Sequence, residues 1–371
     1  MAHEFDSGFF YNVHGNREWH GLGKVIEYAP KTFREAMELG GMDWKVIEVP
    51  FGPNLEFLTE EQKADNNLRQ WMKTVLLPKH GNRYPVASGW KMLYREDSGD
   101  LLHVCRSTWK VVQNVDAFAW FEPYLMEKDM EMSAGVSLMG GRRIAITCRL
   151  NHPKEVVPGD EVYPYFLLAN SHDGSIAVTM RLTGIRTVCN NTLEMNLEGL
   201  RGNFTGSMDV QSTSVRIKHS RKVRENMDRV RDFFDIQKQR FETNVELWQQ
   251  MAKKEITAAE FKAYANKVYA RQLKRQPKPS SVLDSDLLEP KDISETARWE
   301  SLVRNFESGR GSEFAPGTVW SALNAITEFT SHYAETDDIE SARRKLDSLY
   351  LGENARINGS AVKYAAELVG A

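Results

Sequence analysis

In Arg143-Ile144-Ala145-Ile146-Thr147-Cys148-Arg149-Leu150 the apolar residues Ile144, Ile146, Cys148 and Leu150 fall at every second position. Successive side chains of a strand point to opposite faces, so this period assigns that set to a core. It leaves Arg143, Ala145, Thr147 and Arg149 on the other face. The stretch Ile176 to Thr183 repeats the pattern, with Ile176, Val178, Met180 and Leu182 opposite Ala177, Thr179, Arg181 and Thr183. Neither second face contains Asp or Glu. Guanidinium and hydroxyl donors on one surface suit phosphate oxygens; the competing reading is the ordinary solvated face of an antiparallel sheet.

Working outward, each of these strands has a hairpin partner. Gly135 to Leu138 precedes Arg143 to Leu150 across Gly140-Gly141, and Val162 to Ala169 precedes Ile176 to Leu182 across Ser171-His172-Asp173-Gly174. A further hairpin joins residues 86 to 95 with 101 to 113 through Asp97-Ser98-Gly99-Asp100, where Gly supplies the positive φ such turns use. Thr32 to Leu39 reads as a short helix stopped by Gly40-Gly41, Trp44 to Val49 as a strand, and Val115 to Leu125 as a helix capped by Asn114. Asn190 to Leu200 has helical spacing, and Gly202 to Ser214 reads as a loop.

From Lys218 to Met251 the residues Met227, Val230, Phe234, Phe241, Trp248 and Met251 form one helical seam. Thr257 and Glu260 form a capping box, and the Pro277 to Pro290 stretch reads as a linker. Helices follow at Ser294 to Phe306, Thr318 to Tyr333, Ile339 to Leu351 and Ser360 to Val369. The expected fold class is α+β: an antiparallel sheet of hairpins with helices on one face, followed by a mostly helical C-terminal half. The expected divisions are a sheet domain over 1–204, a basic long-helix region over 205–280 and a helical domain over 281–371.

At 371 residues with 41% apolar content, the chain can bury sizeable cores. No apolar stretch approaches the roughly 20 residues a membrane span needs, and Met1 to Phe10 lack a cationic then apolar leader, so a cytoplasmic location is expected. Cys105, Cys148 and Cys189 are odd in number and widely spaced, as buried thiols are, and the histidines lack ligand spacing, so no metal or cofactor is expected. Lys and Arg against Asp and Glu number 22 to 26 over residues 1–204, 17 to 9 over 205–280 and 9 to 16 over 281–371. A cationic middle between acidic flanks points to an anionic partner.

That middle contains Arg216, Lys218, Arg221, Lys222, Arg224, Arg229 and Arg231, a helix-borne cluster able to meet a phosphate backbone or, alternatively, to form an ordinary solvated face with pairs such as Glu225 and Arg229. Trp90, Tyr94, Trp109, Tyr163 and Tyr165 offer rings for stacking on unpaired bases if they are not core. For catalysis the best grouping is His172, Asp173, Cys189 and Asn190 at strand ends, and no phosphate-binding loop of the G-x-x-x-x-G-K-[ST] form occurs.

Five blocks carry a resemblance: Trp19-His20-Gly21-Leu22-Gly23, Gly140-Gly141-Arg142-Arg143, Asn170-Ser171-His172-Asp173-Gly174-Ser175, Ile185-Arg186-Thr187-Val188-Cys189-Asn190-Asn191-Thr192-Leu193, and Gly317-Thr318-Val319-Trp320 with Asn324-Ala325. On these the chain resembles, from about residue 15 onward, the uncharacterised phage/plasmid-like family with a domain of unknown function (DUF932). The resemblance implies a mobile-element origin and no particular activity. Gly40-Gly41-Met42-Asp43-Trp44 ahead of an antiparallel sheet is similar, at the level of fold, to Rad52-type single-strand annealing proteins. The Lys-rich helix with a terminal Phe-Gly that follows the sheet in those proteins has no counterpart in this chain.

The resulting expectation is a homo-oligomeric nucleic-acid-binding protein of a phage or plasmid, holding or annealing single-stranded DNA in replication or recombination. Its contacts would come from Arg143, Arg149, Arg181, Arg186, Arg216, Lys218, Arg221, Lys222 and Arg224. The alternatives are a nuclease-like enzyme built on His172 and Cys189, and a protein that binds a host factor through an exposed apolar face on the Phe234 to Trp248 helix.

Overall fold

A computed structural model of the chain describes residues 9–12, 24–50, 72–76, 83–87, 89–127, 129–186, 191–194, 208–210, 214–229, 234–273, 292–332 and 339–371. In chain order the strands are β1 (Phe9–Asn12), β2 (Lys24–Ile26), β3 (Val46–Pro50), β4 (Met72–Leu76), β5 (Arg83–Ala87), β6 (Trp90–Arg95), β7 (Leu101–Arg106), β8 (Met130–Leu138), β9 (Arg143–Leu150), β10 (Lys154–Val157), β11 (Asp160–Ser171), β12 (Val178–Arg186), β13 (Asn191–Glu194), β14 (Met208–Val210) and β15 (Ser214–Ile217). The helices are α1 (Phe33–Gly40), α2 (Asp116–Ala119), α3 (Glu122–Glu127), α4 (Val223–Arg229), α5 (Phe234–Lys253), α6 (Ala258–Leu273), α7 (Ala297–Ser308), α8 (Val319–His332), α9 (Ile339–Leu351) and α10 (Glu353–Leu368).

The three hairpins form as the alternation requires. β6 pairs β7, β8 pairs β9 and β11 pairs β12, all antiparallel. The main sheet runs β14-β15-β12-β11-β9-β8-β1-β2, with β10 added on β11 and β13 on β12, while β3-β6-β7 and β4-β5 form smaller sheets. The fold is therefore α+β, with antiparallel sheets first and helices after. The main sheet continues through Ser214–Ile217, beyond residue 204, because β15 pairs β12 at Val178 to Arg181.

One face of the sheet carries Ile144, Ile146, Cys148, Phe166, Leu168, Met180, Leu182 and Val215 into a core shared with Phe33, Phe118 and Phe121 from the front and Trp248, Phe261, Trp320 and Ile326 from the back. At roughly 25 cal/mol per Å2 of apolar surface removed from water, such large side chains dominate the stabilisation. The opposite face is not solvated. α9 lies across it, packing Leu346, Leu349 and Tyr350 on Ala134, Val136, Ala145, Leu167 and Ala169.

Several local expectations change. Asn191–Glu194 is a strand on β12 rather than the start of a helix. Asn114 is not a helix cap: its amide Nδ2 donates to the Met42 carbonyl at 2.8 Å and the Trp44 carbonyl at 3.3 Å. Arg216 sits in a strand, and helix begins only at Val223. On α5 the residues Phe241, Val245, Trp248 and Met251 are buried, so this described part of the seam is spent inside the molecule rather than presented to a partner. The Trp19 to Gly23 block, Thr187 to Asn190, Val230, Arg231, most of Gly202 to Ser214 and the Pro277 to Pro290 linker lie outside the described residues. No described helix is long and apolar enough to cross a membrane.

Candidate nucleic-acid interface

The nine expected contact residues divide into two groups. Those on the strands are engaged inside the protein. Arg186 is 1% exposed and clasps Asp160, itself 0% exposed, through Nε at 2.5 Å and Nη2 at 2.6 Å. It also donates to the carbonyls of Arg310 and Gly311, and Asp160 accepts from the Trp320 indole at 2.8 Å. Arg143 pairs with Asp347 of α9 at 2.6 Å and donates to Ser175 Oγ at 2.8 Å. Arg149 pairs with Glu131, opposite it in the register, and lies over the Tyr163 ring. Arg181 is buried and donates through Nη2 to the Tyr350 carbonyl at 2.9 Å, in the last turn of α9 where backbone acceptors lack helical partners and the dipole favours a cation. Arg216 is buried as well. These five do not line a shared trough; the missing acids of the two strands come from elsewhere in the chain.

The second group is exposed: Lys218, Arg221, Lys222 and Arg224, in the turn between β15 and α4 and the first turn of α4. Their platform is built from residues far away in sequence. Lys110 N donates to the His219 carbonyl at 3.1 Å, and His219 Nδ1 donates to the Lys110 carbonyl at 3.0 Å. Lys91, nearly buried, fixes the adjoining Trp109 by donating to its carbonyl at 2.7 Å and to Glu48 at 2.6 Å. The Trp109 ring is held edge-on between His103 and His219, with centroids 5.3 and 4.6 Å away. Lys110, exposed, therefore joins the same surface, and Arg106, exposed and four residues before it, lies over Trp90. Arg224 approaches Asp116 at 3.5 Å with both side chains largely in water, a contact of little strength. Among the described residues no ion pair holds Arg221 or Lys222. Lys110 escapes a reading of the sequence because its link to the turn at 218–224 spans 109 residues.

Burial keeps the imidazoles beneath this surface neutral. His172 is pushed down to about 3, first by burial and then by His219, and its Nε2 donates to Asn114 Oδ1 at 2.7 Å. His219 is pushed down to about 4 by burial, and His103 is lowered by burial and by Arg142. His172 is thus a neutral imidazole near pH 7 that serves as a hydrogen-bond donor to Asn114. Cys189 and Asn190 lie outside the described residues, and Arg186, three residues before Cys189, is opposite Val162, at the far end of β11 from His172. The grouping proposed for catalysis is not brought together by the described residues. Among them no set of three or more His, Cys, Asp and Glu is arranged to hold a metal ion. Gly141, at φ 91°, lets the chain pass so near Trp44 that a Cβ there would stand 2.8 Å from the indole.

No curated protein and no solved structure matches the chain. Residues 101–350, about two thirds of its length and including both groups of cations, match a family model, and the chain belongs to the family described as Domain of unknown function (DUF932).

Proposed function

We propose that the protein binds nucleic acid, single-stranded DNA foremost, through the exposed turn Lys218, Arg221, Lys222 and Arg224 together with Lys110 and Arg106. The observation that carries this is the gathering of five exposed cations, Lys110 with the four of the turn, with Arg221 and Lys222 held by no carboxylate among the described residues. Cations at such spacing replace condensed counterions along a phosphate chain, and the half-buried Trp90 and Trp109 supply ring edges beside them. The phage or plasmid setting implied by the five blocks suits a protein that covers or anneals strands exposed in replication or recombination in the host cytoplasm. A homo-oligomer would repeat the turn along one strand.

Neutralising four to five phosphates of a single strand gives a slope of roughly −3 in log affinity against log salt. Fluorescence anisotropy with a labelled oligothymidylate, titrated at several salt concentrations, measures it. Arg221→Ala with Lys222→Ala is expected to weaken binding and flatten the slope by about 1.4, whereas Arg149→Ala leaves the slope unchanged. Salt-insensitive binding, or none, overturns the proposal.

A further inference from the structure

Among the described residues, the helical half holds a cavity of about 610 Å3 between the last turn of α6, the first turns of α7 and α10, and single residues of α8 and α9. That volume lies within the range of small-molecule sites. None of the nine expected contact residues lines it.

Its lining is chemically divided. Arg298 supplies a cation, and its guanidinium lies over the Tyr269 ring at 4.6 Å and the Phe329 ring at 5.6 Å. Such seating fixes the plane of the group and leaves its N–H edge free for an acceptor. Among the described residues no carboxylate pairs with Arg298 and no side chain accepts from it. A cation in the first turn of α7 also works against the helix dipole, so neither a cap nor an ion pair accounts for it.

The acceptors are neighbours in the first turn of α10. Glu353 receives the Gln272 amide on Oε1 at 3.1 Å, and no described cation pairs with it. Asn354 is oriented by Nδ2 donating to the Thr330 carbonyl at 3.0 Å and by its backbone N donating to Ser348 Oγ at 3.2 Å, which keeps Oδ1 as a spare acceptor. Leu273, Phe329 and Ile357 add apolar wall.

We infer that this cavity is a nucleotide site, taking a nucleoside 5′-monophosphate whose base carries an amino group. The phosphate goes to Arg298, because a guanidinium fork matches an oxyanion and Glu353 repels one. The amino group donates to Glu353 and to Asn354 Oδ1, and the flat base lies against the apolar wall. An α-amino acid carries both charges but leaves most of the volume unfilled. The site is a binding activity separate from the basic turn and does not depend on it.

Calorimetric titration of the full chain with adenosine, cytidine, guanosine and uridine 5′-monophosphates tests this, with inorganic phosphate as the control. The amino-bearing nucleotides are expected to bind more tightly than uridine monophosphate and than phosphate. Arg298→Gln is expected to weaken them roughly tenfold or more. Arg298→Lys, which keeps the charge and loses the fork, is expected to fall between, and Glu353→Gln to narrow the preference for cytidine over uridine monophosphate. Arg221→Ala with Lys222→Ala is expected to change none of these affinities. Nucleotide binding lost in that double variant but kept in Arg298→Gln moves the phosphate to the basic turn and overturns the site. So does the absence of nucleotide binding, or phosphate alone binding as tightly. Repeating the titration with the protein saturated by oligodeoxyadenylate, with and without a 5′-phosphate, separates two sources of the ligand. Loss of binding only with the phosphorylated strand assigns the site to strand ends, and retention with both assigns it to free nucleotides. Loss with both places the nucleotide on the strand-binding surface and overturns the proposal.

Discussion

Replacing Asp160 with Ala leaves the Arg186 guanidinium, 1% exposed, without its carboxylate partner. Removing one member of a buried pair costs about 3–5 kcal/mol, whereas replacing both with apolar residues of similar volume costs far less. Urea unfolding followed by tryptophan fluorescence is expected to show a large loss for Asp160→Ala and a smaller one for Asp160→Leu with Arg186→Met. Beside this pair Gly311, at φ 75°, has room for no Cβ: one would stand 2.8 Å from the Arg186 guanidinium. The buried imidazoles add a pH dependence. Unfolded histidine protonates near pH 6.5, but His172 and His219 in the fold hold out to about 3 and about 4. Over that window the unfolded chain takes up protons the folded chain refuses, so stability falls as pH drops below about 6.5. Each imidazole contributes up to about 1.4 kcal/mol per pH unit. Urea midpoints are expected to decline between pH 7 and 5, and His172→Gln to make that decline shallower.

At the scale of elements, α6 opens with the reciprocal box foreseen from Thr257 and Glu260. Glu260 N donates to Thr257 Oγ1 at 3.2 Å, and Thr257 N donates to Glu260 Oε2 at 2.8 Å. Thr257→Ala is expected to lower stability by about 1 kcal/mol, read as a drop in Tm by calorimetry. Local patterns of this kind were legible because their cause is local: alternation produced β9 and β12, and Thr32 with Gly41 bounds α1. Illegible features depended on partners distant in the chain. Alternation correctly set Arg143, Thr147, Arg181 and Thr183 on one face of the sheet, but only the fold reveals that α9 covers it. The exposed half of the cation set was visible as composition; its platform, made where Lys110 meets His219, was not.

At the scale of the molecule, front and back halves share one core, since Phe166 and Met180 of the sheet belong to the same cluster as Trp248 and Trp320. A single cooperative transition is expected, with far-ultraviolet dichroism and tryptophan fluorescence superimposing in urea. Two separated transitions would show that the helical half unfolds by itself.

The internal engagement of the strand arginines also bears on how the chain is made. Arg181 meets the Tyr350 carbonyl 169 residues later and Arg143 meets Asp347 204 residues later, while Arg186, whose partner Asp160 precedes it, gains the Gly311 carbonyl 125 residues later. At about 5–20 residues per second, the ribosome leaves the half-finished sheet waiting on the order of ten to forty seconds for those acceptors to emerge. During that interval its guanidinium groups face the crowded surroundings of translation, where RNA is the most abundant polyanion.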